Sequence, residues 1–390
     1  MRKLVVATVA GCCLAAPVAA DIVIAHVYDR TGALEAYASQ SHTGLMMGLE
    51  YATDGTMEID GEKIVVIEKD SQLKPEIGRA MLEEAYGDDW AVLAVGPVSS
   101  GVALAMLPVA EEFEKILVVE PAVADSITGE NWNRYIFRTS RNSTQDAVAS
   151  AVALGHEGTV IATLAQDYAF GRDGIAAFRD AIAQTPARIV HEEYAPTDTT
   201  DFTAAAERIF AAMKDEMGDK KLFIIWAGGG NPLGKINAME PGRYGIQLAA
   251  IGNILAAMTT YKELPGMEGA TYYYHDIPDN PVNDWLVREH EARFGGPPDF
   301  FTAGGMAAGI AVVEALRKAD STDTEALIAA MEGMEWQTPK GTMRFRPEDH
   351  QALQSMYHFK IRVDPDVAWG IPELVRELTI DDIVVPIRNN

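Results

Sequence analysis

Several polar loops follow short apolar runs, and these loops are where binding or catalytic chemistry is expected. Segment 96–101, Gly-Pro-Val-Ser-Ser-Gly, follows one such run and precedes a helical pattern. Backbone N–H groups at a helix N-terminus, with the hydroxyls of Ser99 and Ser100, suit a carboxylate ligand. Simple capping of the helix by Ser99 or Ser100 is the competing interpretation. Both roles are compatible with the position of the segment after a predicted strand.

Other candidates lie in the loops that follow further apolar runs. In segment 121–126, Ala122 and Ala124 offer backbone groups and Asp125 offers a carboxylate, although Asp and Ser also favour simple turns. Aromatic rings in such loops could cover the apolar part of a ligand, and glycines permit close approach of the backbone. The remaining candidates share a position near a predicted strand end or chain crossing: Phe170, Trp226, Gly228, Gly229, Asn253, Ile254, Phe301, Tyr28 and Tyr37. For any single aromatic residue, a place in the core is the competing interpretation.

Catalytic and metal-binding motifs do not fit these residues. The glycines at 228–230 lack the Gly-Lys-Ser/Thr ending of a phosphate loop. Ser99 and Ser100 lack the Gly-x-Ser-x-Gly pattern of a nucleophile elbow. The eight histidines show no zinc-ligand spacing. We therefore expect a protein that is not an enzyme and that needs no metal and no cofactor, with a periplasmic hydrolase as the less favoured alternative.

The elements that must position these loops alternate between β-like and helical patterns. Near-continuous apolar runs separated by helical segments are typical of a parallel sheet covered on both faces. The alternation runs from residue 22 to residue 119 and restarts near residue 135 at a similar rhythm. We predict an α/β fold of two doubly wound parallel-sheet lobes. Open α/β sheets bind ligands at the carboxyl ends of their strands, so the ligand would lie between the lobes.

Three short extended segments are predicted to carry the chain between the lobes as hinge crossings: 137–142, 271–276 and 341–346. Lobe 1 would then hold residues 21–139 and 275–340. Lobe 2 would hold residues 140–274 and 341–390. Each lobe is therefore expected to be discontinuous in the sequence.

The first twenty residues have the layout of a secretory signal peptide. Arg2 and Lys3 precede an apolar stretch that ends in small residues at Ala20. Cleavage after Ala20 would deliver the protein to the periplasm and would remove Cys12 and Cys13, the only cysteines, so that no disulfide could form. Residues 9–12 also resemble a lipobox, so lipid attachment at Cys12 is the alternative.

The net charge of −25 argues against a nucleic-acid partner. A surface with this excess of carboxylates repels phosphate backbones and anionic lipid headgroups. The acidic residues are dispersed along the chain instead of forming one run, which indicates a solvated globular surface.

An ordered set of short motifs along the mature chain resembles the type I periplasmic binding proteins of branched-chain amino acid ABC importers, the leucine/isoleucine/valine-binding-protein-like family. Each motif is weak alone, whereas the order of the set is specific for this family. The motifs are Thr31-Gly32, segment 96–101, Glu120-Pro121-Ala122, Arg138-Thr139, segment 167–171, Asp201-Phe202, segment 300–305, and Gly341 with Arg344-Phe345.

The resemblance implies roles for particular residues. Ser100 corresponds to the position that holds the ligand carboxylate, with Ala122 offering its backbone. Ala124 stands where the family usually has threonine, so Asp125 or Ser126 would substitute. Phe170 corresponds to an aromatic lid, and Phe301 to an aromatic wall.

In the second lobe the sequence departs from the family pattern. The family's tyrosine falls in the run Gly228-Gly229, which leaves Trp226 as a neighbour. The acid that pairs with the ammonium of an amino acid falls on Asn253 or Ile254, and neither is an acid. The expected ligand is therefore a small carboxylate, either a hydrophobic or branched-chain amino acid or an aromatic or other small organic acid.

The resemblance also implies partners and a mechanism. A monomeric binding protein would close on its ligand by hinge bending and deliver it to the permease subunits of an ABC importer in the inner membrane. A ligand sensor coupled to a membrane receptor or regulator would use the same pocket and is the alternative function.

Overall fold

The computed structural model describes residues 21–389. The predicted signal peptide, residues 1–20 with Cys12, lies outside the described residues. The described chain forms two lobes with a parallel sheet at the centre of each, which confirms the predicted fold class.

The sheet of the first lobe is formed by β1 (Ile22–Tyr28), β2 (Glu58–Ile59), β3 (Glu62–Asp70), β4 (Leu93–Val95), β5 (Ile116–Val119) and β6 (Ile136–Arg138). Their spatial order is β2-β3-β1-β4-β5-β6, and all neighbours run parallel except in the β2–β3 hairpin. Strands β4 and β5 are buried at every residue, as their unbroken apolar sequences predict for strands covered on both faces.

The sheet of the second lobe repeats this arrangement with β7 (Thr159–Gln166), β8 (Arg188–Ala195), β9 (Asp219–Ile225) and β10 (Ile246–Ala250). All four strands are parallel, in the order β10-β9-β7-β8. In each lobe the first strand lies inside the sheet, and the strand order reverses beside it. Such a switch point leaves a crevice at the carboxyl ends of the strands.

Helices cover both faces of the two sheets. Their bounds are α1 (Glu35–Ala52), α2 (Pro75–Gly87), α3 (Ser100–Glu112), α4 (Ser143–Leu154), α5 (Ala169–Ile182), α6 (Thr203–Met213), α7 (Leu233–Asn237), α8 (Leu255–Met258), α9 (Pro281–Phe294), α10 (Phe300–Ala319) and α11 (Thr324–Met331). Local sequence defines several of their starts: Asn142 and Gln145 form a reciprocal capping box at α4, and the Asp299 side chain caps α10.

Two small antiparallel sheets complete the lobes. Their strands are β11 (Glu268–Thr271), β12 (Glu335–Thr338), β13 (Gly341–Phe345), β14 (Ala352–Leu353), β15 (Met356–Arg362) and β16 (Ile371–Leu378). The sheet β11-β15-β16 packs beside β10 of the second lobe. The sheet β12-β13-β14 packs beside α10 of the first lobe.

The predicted boundary at residue 341 needs correction. Strand β13 pairs with β12, and Met343 and Phe345 belong to the hydrophobic cluster of the first lobe. The crossing predicted at 341–346 therefore lies later, between β14 and β15. The end of the chain, predicted to lie in lobe 2, also packs on the first lobe, since Ile383 and Val385 belong to the hydrophobic cluster of that lobe. Antiparallel pairing and long-range packing, which a local pattern does not reveal, decide both placements.

Helices α1 and α10 form the densest helix contact of the first lobe. Glycines allow their backbones to touch, because a Cβ atom added at Gly44 or Gly305 would clash with a main-chain oxygen of the other helix. Helix α10 is long and apolar enough to cross a membrane, yet 89% of its most apolar window is buried in the protein. It is the central core helix of this lobe.

This contact predicts that Gly44→Ala destabilises the protein. The new methyl group would overlap the main-chain oxygen of Thr302, which cannot move without shifting α10. We expect a loss of about 1–3 kcal/mol in the free energy of unfolding, measured by urea denaturation. Gly296→Ala is the matched control, because a Cβ atom there meets nothing within 4 Å. Equal stability of the two variants would contradict the packing argument.

A pair of histidines lies in the interior of the first lobe. The Nδ1 atoms of His26 and His42 are 3.0 Å apart, and the His26 ring stacks on Tyr28 at a centroid distance of 4.2 Å. Burial, with a smaller effect of the His42 charge, lowers the pKa of His26 well below its usual value. Burial also lowers the pKa of His42, although Glu68, 3.9 Å from its Nε2 atom, opposes this and the Arg30 charge adds to it.

The histidine pair predicts a loss of stability in mild acid. The pKa values of these histidines are lower in the folded protein than in the unfolded chain. Below about pH 6.5 the unfolded chain therefore binds more protons than the folded protein, and the free energy of unfolding falls as the pH falls. His26→Phe should reduce this slope by at most about 1.4 kcal/mol per pH unit. Urea denaturation at several pH values measures the slope, and His156→Gln, outside the pair, is the control. An unchanged slope in His26→Phe would refute the prediction.

Candidate ligand-binding site

A cavity lies between the two lobes, where the carboxyl ends of both parallel sheets face each other. The loops after β1, β4 and β5 line it from the first lobe, and the loops after β7, β9 and β10 line it from the second. Its volume is about 450 Å³, including the open space at its mouth. This is the position at which doubly wound sheets bind small ligands.

Six of the sixteen described residues that line the cavity are aromatic. Phe170, predicted as an aromatic lid, and Phe301, predicted as an aromatic wall, line it from opposite lobes, and Trp226 also lines it. The ring centroids of Tyr37 and Phe301 are 4.5 Å apart, and those of Tyr168 and Phe170 are 5.9 Å apart. Such a lining offers large apolar faces to a ligand and few polar contacts.

Tyr37 links the two lobes across the cavity. Its hydroxyl donates to Asn253 Oδ1 at 2.7 Å and accepts from the Gly228 N–H at 2.9 Å. Gly228 has a φ of 72°, and a Cβ atom there would lie only 2.8 Å from Leu34 Cδ2. Only glycine therefore allows this close approach. Three residues predicted independently as site candidates thus meet in one contact.

Ser100 lines the cavity at the start of α3. Its Oγ atom accepts from the backbone N–H groups of Val123 and Ala124, at 3.3 and 3.2 Å. These two bonds occupy both acceptor lone pairs of the hydroxyl, so its O–H proton is the part still able to bond to a ligand, as a donor. Ala124 contributes to the site through this N–H bond and does not line the cavity.

The carboxylate site predicted at the backbone of segment 96–101 is filled by the protein itself. Asp29 Oδ2 accepts from the N–H groups of Val98 and Ser99, each at 2.8 Å, and Asp29 Oδ1 accepts from Ser71 Oγ at 2.5 Å. Burial raises the pKa of Asp29, while these three hydrogen bonds oppose the shift. Ser99 is thereby held away from the cavity lining, and only Ser100 of the predicted pair reaches it.

Two more candidates of the first lobe serve structural contacts near the start of α4. Asp125 accepts from the Thr144 N–H at 3.0 Å and from Thr144 Oγ1 at 2.5 Å. The carbonyl of Ala122 accepts from Ser140 Oγ at 2.8 Å. Neither Asp125 nor Ala122 lines the cavity.

The last three candidates also lie outside the lining. Tyr28 stacks on His26, and its hydroxyl donates to Glu68. Ile254 precedes α8, and its N–H donates to the Asn253 side chain at 2.8 Å. The carbonyl of Gly229 accepts from the Trp226 indole at 3.3 Å.

Arg141 is the one charged residue that lines the cavity within the described chain, and it was not among the predicted site residues. Its guanidinium stacks over the rings of Tyr272 and Phe300, at 4.7 and 5.2 Å from their centroids. Its Nε atom donates to Asp146 Oδ1 at 3.1 Å. The signal was present, because Arg141 lies in the first predicted crossing, where a cation at the mouth of the cleft could have been suspected. Phe300 and Tyr168 were also missed, although each adjoins or lies near a predicted ring.

A buried polar network holds the crossings next to the site. Arg138 Nε donates to Gln351 Oε1 at 2.6 Å, and Gln351 Nε2 donates to the Ser140 carbonyl at 2.8 Å. Gln354, in the third crossing, donates from Nε2 to the Thr139 carbonyl of the first crossing at 3.3 Å, and its Oε1 accepts from Lys340 Nζ at 2.5 Å. Burial lowers the pKa of Lys340 to about 8. The first and third crossings are therefore bonded side by side.

Comparison with known proteins places these features in one family. The family described as periplasmic binding protein matches residues 21–366. A crystal structure of an ABC-type branched-chain amino acid transporter from Rhodopseudomonas palustris CGA009 is 66% identical, with a TM-score of 0.85, and the match covers 95% of this chain and 100% of that one.

Two more distant relatives cover most of the chain. A solute binding protein of an ABC transporter from Rhodopseudomonas palustris BisB5, solved with 3,4-dihydroxybenzoic acid, is 25% identical. Its TM-score is 0.80, and the match covers 93% of this chain and 98% of that one. The Leu/Ile/Val-binding protein homolog 6 of Brucella melitensis biotype 1 is 26% identical over 79% of this chain and 80% of its own length.

The contact between the lobes predicts that Tyr37→Phe weakens ligand binding. The ring still packs on Phe301, but both hydrogen bonds to the second lobe are lost. At about 0.5–1.5 kcal/mol for each bond, the closed arrangement loses about 1–3 kcal/mol. Calorimetry with leucine or benzoate, whichever the wild-type protein binds, measures the change. Tyr28→Phe removes a hydroxyl that bonds to Glu68 and does not line the cavity, and it is the control. Equal affinities of both variants would argue against the contact.

Proposed function

Because the chain belongs to the periplasmic binding protein family, we propose that it captures a small carboxylate in the cleft between its lobes and delivers it to the permease of an ABC importer. The single observation that carries this proposal is the interlobe cavity, lined from both lobes at the carboxyl ends of their sheets. The 66% identical relative is an ABC-type branched-chain amino acid transporter protein, which supports the transport role.

The geometry supports a mechanism based on closure. A ligand that touches Phe301 and Ser100 on one lobe and Phe170 and Trp226 on the other binds only when the lobes are together. It therefore shifts the hinge equilibrium towards the closed form by its differential affinity. The Tyr37–Asn253 hydrogen bond stabilises the same form. The permease would then recognise the closed surface, while the energy for transport comes from a separate ATPase.

The cellular setting belongs to the same proposal. Residues 1–20 would direct export to the periplasm, where cleavage after Ala20 is favoured over lipid attachment at Cys12. The protein would act there as a monomer, since both halves of the cavity come from one chain.

Deletion of the gene should abolish high-affinity uptake of the bound solute, and the purified protein should raise its melting temperature with that solute, because ligand binding stabilises the native state by mass action. Native mass spectrometry first identifies any molecule retained on purification. A thermal-shift panel that includes leucine and benzoate follows. Unchanged uptake with loss of a transcriptional response would instead indicate a sensor. Conversion of the bound molecule by the protein would indicate a hydrolase.

A further inference from the structure

The cavity carries one charge, and that charge is positive. Of the sixteen residues that line it in the described part of the chain, only Arg141 is charged, and none is Asp or Glu. Arg141 is 4% exposed, so its guanidinium has left bulk water. Within the described residues its one ion-pair partner is Asp146, which bonds to the Nε atom, so the Nη atoms are left for an anionic ligand.

The Arg141 guanidinium is positioned to receive a carboxylate. Its Nε atom is held by Asp146, and its plane rests on the rings of Tyr272 and Phe300. Within residues 21–389, no protein acceptor bonds to its Nη1 or Nη2 atom. A fork of N–H groups with a fixed orientation matches the two oxygens of a carboxylate. The O–H of Ser100 would add a donor from the same lobe.

No lining group is suited to an ammonium. Buried acids of the loops around the cavity are already engaged: Asp29 accepts from Val98, Ser99 and Ser71, and Asp299 accepts from Leu255, Phe300 and Gln40. Glu120 accepts from Thr139, and Asp167 pairs with Arg172. Asn253 Oδ1 accepts from Tyr37 and from the Ile254 N–H. An α-amino acid would therefore bury its ammonium next to Arg141 without a counter-charge, which is costly.

The apolar part of the lining favours a planar ligand. Phe170 and Tyr168 face the cavity from the second lobe, while Phe300 and Phe301 face it from the first. Flat rings on both sides stack well on an aromatic ring, at about 0.5–1.5 kcal/mol per pair beyond the area that they bury.

We propose that Arg141 binds the carboxylate of the ligand and that the ligand is an aromatic monocarboxylate without an ammonium group. This proposal rests on the proposed function, since it identifies the solute class of the same cavity. Arg141 lies in the first crossing. The group that selects the ligand is therefore part of the hinge on which the lobes close.

The ligand class is tested on the wild-type full-length mature protein by isothermal titration calorimetry. Benzoate should bind at least about tenfold more tightly than benzamide, because the neutral amide loses a charge-assisted interaction. L-Phenylalanine is 3-phenylpropanoate with an added α-ammonium group, for which the lining offers no counter-charge. We therefore expect 3-phenylpropanoate to bind more tightly than L-phenylalanine. Tighter binding of L-leucine than of benzoate would overturn the proposed class.

The role of Arg141 is tested in a variant that keeps the local charge balanced. Arg141→Met alone leaves Asp146 buried without its partner, so Arg141→Met is combined with Asp146→Asn. In this double variant the benzoate-to-benzamide affinity ratio should fall towards one. Arg141→Lys, which keeps the charge but not the fork, should give an intermediate ratio. Arg208→Met, at an exposed ion pair with Glu193, is the control and should keep the wild-type ratio.

The possible failures are distinguishable. A wild-type protein that binds carboxylates, combined with an unchanged ratio in the double variant, would refute the role of Arg141 and leave the proposed function intact. A wild-type protein that binds none of the five probes and retains no small molecule would refute both.

Discussion

The parallel direction of the strands is the constraint on which the rest of the structure depends. Because the strands of each central sheet point the same way, with the β2 hairpin as the exception, the loops that follow them gather at one edge of each lobe. The two edges face each other, so six loops that are far apart in the sequence line one cavity. The glycine contacts between α1 and α10 add precision, since they hold Tyr37 beside Phe301. The direction of the strands thus fixes where the site lies, and the side chains on the loops fix what lines it.

The protein satisfies most of the polar groups around this cavity internally. Asp29 occupies the N–H groups at the start of α3, and Asp299 caps α10 behind Phe300 and Phe301. These buried carboxylates stiffen the loops because each accepts several hydrogen bonds. Arg141 is the one charged residue among the described residues of the lining, and its Nε atom is paired with Asp146 behind the cavity wall.

The predictions from sequence succeeded where the signal was local. Apolar runs separated by helical patterns were enough to predict the two lobes. The position after a strand pointed to Ser100, Phe170 and Asn253, and the family resemblance pointed to Phe301; all four line the cavity. The failures involve partners that are distant in the chain. Asp29 lies 69 residues from the N–H group of Val98 that it occupies. The late position of the third crossing depends on the pairing of β13 with β12, and the role of Arg141 depends on which acids are already engaged.

The hydrogen bonds that tie the first and third crossings together have a mechanical consequence. Gln354 of the third crossing bonds to the Thr139 carbonyl of the first, and Gln351 bonds to Arg138 and Ser140 beside them. The second crossing at Tyr272 runs separately, with its hydroxyl bonded to the Phe300 carbonyl. Two attachment points define a line, so the lobes have essentially one rotational degree of freedom. Motion along that single coordinate stops where the ligand meets both walls. The angle between the lobes is therefore set by the thickness of whatever separates the two walls.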